Sequence, residues 1–197
     1  RRAGDPEGAG WFYGWGSVYL KQDKGGEAGE SFERAIKLQA SYPDTLANAW
    51  NNLGLLATRE GQTAEAIPYF QEALKLNPDH LIALENLGNA YRQQKNWDEA
   101  RKALERAVAV GPQDAEANYS LGMVFAQLND TDRAYEYLQR ALKSRPGYPE
   151  AWNNLGVLSL RTGRRDEEVA RLEEGHGGAP ELERADMHRA RGYGLHG

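Results

Sequence analysis

Amide side chains recur at one position of the chain, and their chemistry suits a peptide backbone. Asn52 and Asn86 lie 34 residues apart, Asn154 follows at twice that interval, and Ser120 takes the position between them. A side-chain amide has both a hydrogen-bond donor and an acceptor, which match the C=O and N–H groups of an extended chain. Amides held at equal intervals could therefore bind a peptide whatever its sequence. The alternative is that these amides form hydrogen bonds within the protein itself.

Residues with catalytic or metal-binding chemistry do not form a regular pattern. His176, His188 and His196 lie near the C-terminus without the spacing that metal ligation requires. Adjacent carboxylates such as Glu167 and Glu168 fall on predicted helix surfaces, with no cleft to shift their pKa values. Phosphate-binding loops, nucleophile elbows and dinucleotide-binding glycine patterns are not found. We therefore predict that the chain is not an enzyme and has no cofactor and no metal.

A glycine recurs at an almost constant spacing. Its copies are Gly16, Gly54, Gly88, Gly122 and Gly156, so that the steps are 38, 34, 34 and 34 residues. Such a period is typical of stacked repeat proteins. Because a glycine in mid-helix costs about 1 kcal/mol relative to alanine, its recurrence indicates that a second helix comes too close for a side chain. Ala66 is the expected neighbour of Gly54.

Each copy is predicted to be a pair of helices. In residues 47–80, apolar residues three and four apart predict a first helix over about 46–59 and a second over about 63–76. Gly61 accepts the left-handed geometry that ends the first helix. Pro78 stops the second helix and begins the next turn.

These residues resemble the tetratricopeptide repeat family. The cleanest copy has Trp50, Leu53 and Gly54 in its first helix, and its second helix adds Ala66, Phe70 and Ala73 before Pro78. The resemblance covers about residues 9–174. It implies an all-α fold of tandem helix-turn-helix repeats, stacked in a right-handed superhelical solenoid with a concave groove. It also implies a function in protein–protein recognition.

The repeat register divides the chain into six segments. Glu168 and Gly175 replace small residues of the pattern, so the fifth copy decays in its second helix. The predicted segments are a degenerate first repeat with a longer connection at 9–46, regular repeats at 47–80, 81–114 and 115–148, a fifth repeat with a degenerate second helix at 149–180, and a capping helix or disordered tail at 181–197.

In this family the first helices line the groove, which gives a set of candidate peptide contacts. Asn52, Asn86 and Asn154 are similar to the asparagine ladder in O-linked N-acetylglucosamine transferase, which holds an extended peptide by its backbone, although Ser120 interrupts the series. The predicted groove residues are Asn48, Asn51, Asn52, Leu55, Arg59, Glu85, Asn86, Asn89, Arg92, Tyr119, Ser120, Met123, Asn153, Asn154 and Val157.

A second mode of this family, a clamp of basic residues for an acidic chain end, is not expected. The clamp positions hold Asn51, Glu85, Tyr119 and Asn153 rather than lysine.

Aromatic residues at the start of the chain are a separate feature. Trp11 and Tyr13 lie in the first copy, which has no known neighbour before it. An exposed aromatic face there could be a lost repeat contact or a docking surface.

Composition narrows the classes of partner. The net charge is −5 and basic residues are scattered, which argues against nucleic acid. No apolar run approaches the length of a membrane span, so no membrane insertion is expected. No secretory signal segment is seen, which favours the cytoplasm but leaves a periplasmic or exported location open.

Three functions remain. The leading prediction is a scaffold that binds an extended peptide or partner protein in its groove. A self-assembling solenoid is an alternative, because the loose first copy and the decayed fifth leave the ends of the array imperfectly capped. A third is a substrate-recruiting arm of a larger enzyme.

Overall fold

The computed structural model describes residues 8–38 and 42–162, and within those ranges the chain forms nine α-helices and no strand. The predicted all-α class is confirmed. The helices are α1 (Ala9–Lys21), α2 (Gly25–Lys37), α3 (Pro43–Arg59), α4 (Thr63–Leu76), α5 (Leu81–Gln93), α6 (Trp97–Val110), α7 (Ala115–Gln127), α8 (Thr131–Ser144) and α9 (Pro149–Thr162). Two compact units divide the chain, one ending at Val110 with α1 to α6 and one beginning at Gly111 with α7 to α9.

Each helix pair is joined by a short turn with one left-handed residue. Gly61 has φ +79°, as predicted for the end of α3. Gln62 N–H donates to the Ala57 carbonyl at 2.8 Å, which closes the helix end and satisfies a carbonyl that would otherwise lack a partner. Non-glycine residues take the corresponding position in the other turns, with φ 59° at Asp23, Lys95 and Asn129.

Helix α3 begins earlier than the sequence pattern predicts. It starts at Pro43 instead of about Leu46, and it has 17 residues where α5 has 13. Proline suits the first helical turn, because the missing N–H would have no partner there. Asn77, which follows α4, donates to Asp44 at 2.9 Å and holds the added turn. The four extra residues of the first step therefore lengthen a helix rather than only a connection.

The recurring glycines meet the second helix of their own pair, as predicted. A Cβ atom at Gly54 would overlap the ring of Phe70, at 2.7 Å from Cδ1 and 2.8 Å from Cζ. Phe70 is thus the nearest neighbour, rather than the expected Ala66. The other described pairs have the same separation of 16 residues (70 − 54) and are Gly16 with Phe32, Gly88 with Leu104, and Gly122 with Leu138.

Successive pairs in the 8–110 unit pack through the second helix of one and the first helix of the next. Ala49, Leu53 and Leu56 of α3 are buried in one cluster with Ala28 and Phe32 of α2. Helix α4 covers α5 in the same register, and the first helices α1, α3 and α5 also contact their neighbours directly. This arrangement aligns the outer stripes of the first helices.

The unit from Gly111 has the same kind of pairing in α7 and α8, and α9 packs on α8. Leu121, Phe125, Leu138 and Leu155 form its buried interior. The predicted second helix of the fifth repeat, the capping helix, His176, His188, His196, and the pairs Glu167–Glu168 and Glu173–Glu174 all lie outside the described residues. None of the helices α1 to α9 has the length and apolar character needed to cross a membrane.

Candidate functional site

Helices α3 and α5 expose matching stripes of side chains. On α3 the stripe is Asn48, Asn52, Leu55 and Arg59, with spacings of four, three and four residues that follow the helical period. The register-equivalent stripe on α5 is Ile82, Asn86, Asn89 and Arg92. Because α3 and α5 contact each other, these eight residues form one surface, which we call the first-helix surface.

Adjacent amides on α3 have different surroundings. Asn51 is only 4% exposed, and its Oδ1 accepts a hydrogen bond of 2.9 Å from Nδ2 of Asn86. Asn51 therefore holds α3 to α5 and presents little surface to a ligand. Asn52 is half-buried at the surface and makes no side-chain hydrogen bond to the described parts of the chain. Its donor and acceptor are both available to a peptide.

The same link between repeats occurs in the other unit. Nδ2 of Asn154 donates to the Tyr119 hydroxyl at 3.0 Å, and the two residues are 35 apart, like Asn51 and Asn86. Nδ2 of Asn154 also donates to the Glu150 carbonyl at 2.8 Å. Amide donors of Asn86 and Asn154 are thus used within the protein, which corresponds to the alternative explanation for the asparagine series.

One end of the first-helix surface contains a histidine between two repeats. Nδ1 of His80 accepts from Ala83 N–H at 3.3 Å and caps α5. Nε2 then carries the proton and donates to Oδ1 of Asn48 at 3.0 Å. Burial lowers the pKa of His80, and a backbone hydrogen bond and the charge of Asp44 oppose part of that shift. The neutral ring therefore fits this joint.

The other end of the surface is basic and its centre is apolar. Arg59 is exposed, and Nε of Arg92 donates to Oδ1 of Asn89 at 3.3 Å. Leu55 is half-buried in the centre, and Glu85 is half-buried on α5. This combination of amide, apolar and cationic groups can contact both the backbone and the side chains of an extended peptide.

Predicted contacts in the unit from Gly111 are described separately. Ser120 is buried, whereas Asn153 and Val157 are exposed and Met123 is half-buried. The ring of Tyr119 lies 4.9 Å from that of Tyr148.

The sequence analysis missed two features. Ile82 is 54% exposed and belongs to the first-helix surface, and its register with Asn48 could have identified it. Tyr148 donates its hydroxyl to Glu116 at 3.0 Å, and Arg145 lies 3.4 Å from the same carboxylate oxygen. Burial, followed by the bond to Glu116, raises the pKa of Tyr148 well above its ordinary value. Side-chain contacts of this kind are not visible in the repeat pattern.

Metal binding has no support from the described ranges, where no group of three or more His, Cys, Asp or Glu residues is placed to hold an ion.

Known proteins share this architecture. MamA 41-end from Desulfovibrio magneticus RS-1 is 23% identical, with a TM-score of 0.71 over 89% of this chain and 99% of that chain. YrrB, described as a TPR protein with an unusual peptide-binding site, is 25% identical, with a TM-score of 0.60 over 81% of this chain and 76% of that chain. The first of these likenesses shows the fold alone.

Sequence comparison adds relatives and a family. Protein O-mannosyl-transferase TMTC1 of Mus musculus is 34% identical over 91 residues, which are 46% of this chain and 9% of that protein. The chain spans less than a third of the length of the first curated relatives it matches. The family described as the Cilia and flagella-associated protein 70 C-terminal domain matches residues 18–173. This chain therefore belongs to that family, a domain of tetratricopeptide repeats.

Proposed function

We propose that the chain is a protein-interaction scaffold that binds an extended peptide on its first-helix surface. Relatives with the same repeats support a role in protein binding in general. The observation that supports the peptide is the amide of Asn52, which lies at the surface with its donor and acceptor uncommitted, beside Leu55 and the α5 stripe. The description of YrrB as having a peptide-binding site is consistent with this mode.

Hydrogen bonds alone do not account for binding. Each one contributes a net of about 0.5–1.5 kcal/mol, whereas a micromolar complex needs about 8 kcal/mol in addition to the cost of ordering the peptide. Leu55 and Ile82 supply apolar contact area, and Arg59 supplies charge. We therefore propose that peptide side chains contribute most of the free energy, and that Asn52 fixes the position of the peptide backbone.

Neighbouring asparagines give a matched test. The probe is a library of random 12-residue peptides displayed on phage, selected against the immobilised chain, and the recovered peptides are then synthesised. Asn52→Ala removes up to two hydrogen bonds, so we expect these peptides to bind about five- to 150-fold more weakly, with no change in melting temperature. Asn51→Ala should instead lower the stability by about 1–3 kcal/mol, because it leaves the amide of Asn86 without its partner.

Two results would argue against this proposal. One is a selection that recovers no peptide. The other is a set of recovered peptides that bind the wild type and the Asn52→Ala variant equally, because the first-helix surface would then not be their site. Gln94→Ala, an exposed amide replacement at the end of α5, is the control for general surface effects.

The asparagine ladder, self-assembly and the recruiting arm of an enzyme stay predictions. Size measurement across a dilution series tests self-assembly, and a monomer at every concentration would remove it. The role of a recruiting arm is tested by the sequence on either side of these residues, where an enzyme domain would have to be found.

A further inference from the structure

Helix α1 exposes an apolar face that differs from the first-helix surface. Trp11 is 45% exposed, and Trp15 and Val18 are each 42% exposed. The tryptophan rings lie 5.8 Å apart, one turn from each other, and form a ridge. Gly10 and Gly14 lie beside this ridge, are exposed, and have no heavy atom within 4 Å of an added Cβ. We call Trp11, Trp15 and Val18 the α1 aromatic face.

Register-equivalent positions in the same unit are covered by helices. In α3 they are Ala49, Leu53 and Leu56, which are buried against α2. In α5 they are Ala83, Leu87 and Ala90, which are buried in the same register, where α4 packs on α5. The covering helices have 13 and 14 residues. The α1 aromatic face thus continues a series of interfaces in which the partner is each time an amphipathic helix.

Residue size at the face indicates what such a helix must offer. Tryptophan stands at two positions that hold Ala49 and Leu53 in α3, so a helix with large contact residues could not approach as closely. Helix α2 shows how space is made, because an added Cβ at Gly25 or Gly29 would lie 3.6 or 3.8 Å from the methyl groups of Leu56. Small residues one turn apart therefore accept a bulky side chain from the facing helix.

We propose that the α1 aromatic face docks an amphipathic helix of a partner protein, with glycine or alanine at positions i and i+4 of its contact stripe. The exposed stripes of α1 contain no charged residue between Gly10 and Val18, so an uncharged contact stripe is required. Tryptophan is common among the residues that dominate binding energy at protein interfaces. A second copy of this chain is a poorer candidate, because its α2, α4 and α8 are each already packed between two helices.

The experiment uses helix α2 as the probe, because it covers this register in α3. A fluorescein-labelled peptide of residues 24–38, stapled on the side away from Gly25 and Gly29, is titrated against the whole chain by anisotropy. Trp11→Gln with Trp15→Gln should weaken binding about tenfold or more. Tyr42→Gln, which replaces an aromatic residue that is 69% exposed outside the face, should leave binding unchanged. A peptide with leucine at both glycine positions should bind more weakly.

Several outcomes would overturn the proposal. These are no binding of the stapled peptide to the wild type, equal binding to the tryptophan variant, or equal binding of the leucine peptide. Sedimentation that shows dimers lost in the tryptophan variant would assign the face to a second copy. Quenching of tryptophan emission by brominated phosphatidylcholine and phosphatidylserine vesicles would assign it to a membrane. Asn52→Ala should leave the titration unchanged, so this proposal and the proposed function fail independently.

Discussion

Replacing Gly54 by alanine should destabilise the chain, although alanine is the better helix former. Alanine gains about 1 kcal/mol over glycine inside a helix. Against this, a Cβ would meet the Phe70 ring at 2.7 Å, where ordinary contact begins at 3.4 Å. Phe70 is fully buried, so the ring has no space to move into. Overpacking of this kind costs about 3 kcal/mol at the upper end of its usual range, and the net loss should be about 2 kcal/mol.

Two other glycines complete the series. Gly14 lies in α1 with nothing within 4 Å of an added Cβ, so Gly14→Ala should stabilise the chain by about 1 kcal/mol. Gly122→Ala should fall between the other two, because its Cβ would lie 3.1 Å from the Ala134 carbonyl oxygen and 3.2 Å from Leu138 Cγ. These contacts are tight but do not overlap as those at Gly54 do.

Urea unfolding followed by far-ultraviolet circular dichroism measures the series. The slopes of the transitions should agree among variants, so that differences in midpoint report stability. We expect a spread of about 3 kcal/mol between Gly14→Ala and Gly54→Ala. If Gly54→Ala is as stable as the wild type, or if all three variants shift alike, the close approach of the paired helices does not determine this position.

Three further substitutions test the turns, caps and joints. Lys95→Gly should stabilise the chain by about 0.5–1 kcal/mol, because φ is 59° and a side chain is strained there; an unchanged urea midpoint would contradict this. Asp114→Ala should cost about 1 kcal/mol in thermal unfolding, because its carboxylate accepts from the N–H groups of Glu116 and Ala117; Asp114→Asn should largely restore the cap. Burial lowers the pKa of His80 in the folded chain below its ordinary 6.5, so the unfolded chain binds the proton more readily, and the stabilisation is complete above that pH and lost as the pH falls below it. Urea midpoints at pH 7.5 and pH 5 should therefore differ more for the wild type than for His80→Asn, and equal differences would refute the role of this ring.

Most of the helix pairs follow from spacing alone. Gly61 and Pro78 give the ends of the helices in the cleanest copy, because a left-handed cap and a missing N–H act locally. The start of α3 is the exception. Pro43 belongs to the stretch that breaks the constant period, so the pattern assigns it to a connection, whereas proline is equally suited to a first helical turn.

The surface was harder to predict than the fold. Asn51 and Asn52 are neighbours of the same type, and the sequence assigns both to the groove. Their difference depends on how α5 sits against α3, which brings Asn86 to one amide and leaves the other at the surface. Such a distinction of one residue in register arises from packing between repeats, and no local signal encodes it. Ile82 was missed because attention to amides passed over an apolar residue in the same stripe.

The constant separation between each glycine and its filler has an evolutionary consequence. Both partners belong to the same helix pair, as in Gly54 with Phe70, so a duplicated or deleted repeat carries its complete internal fit with it. Bonds such as that between Asn51 and Asn86 span 35 residues and join different repeats, so they are broken or re-formed by every such event. Gene duplication can therefore change the length of this array as whole cassettes, while natural selection acts on the junctions to decide which neighbours are compatible.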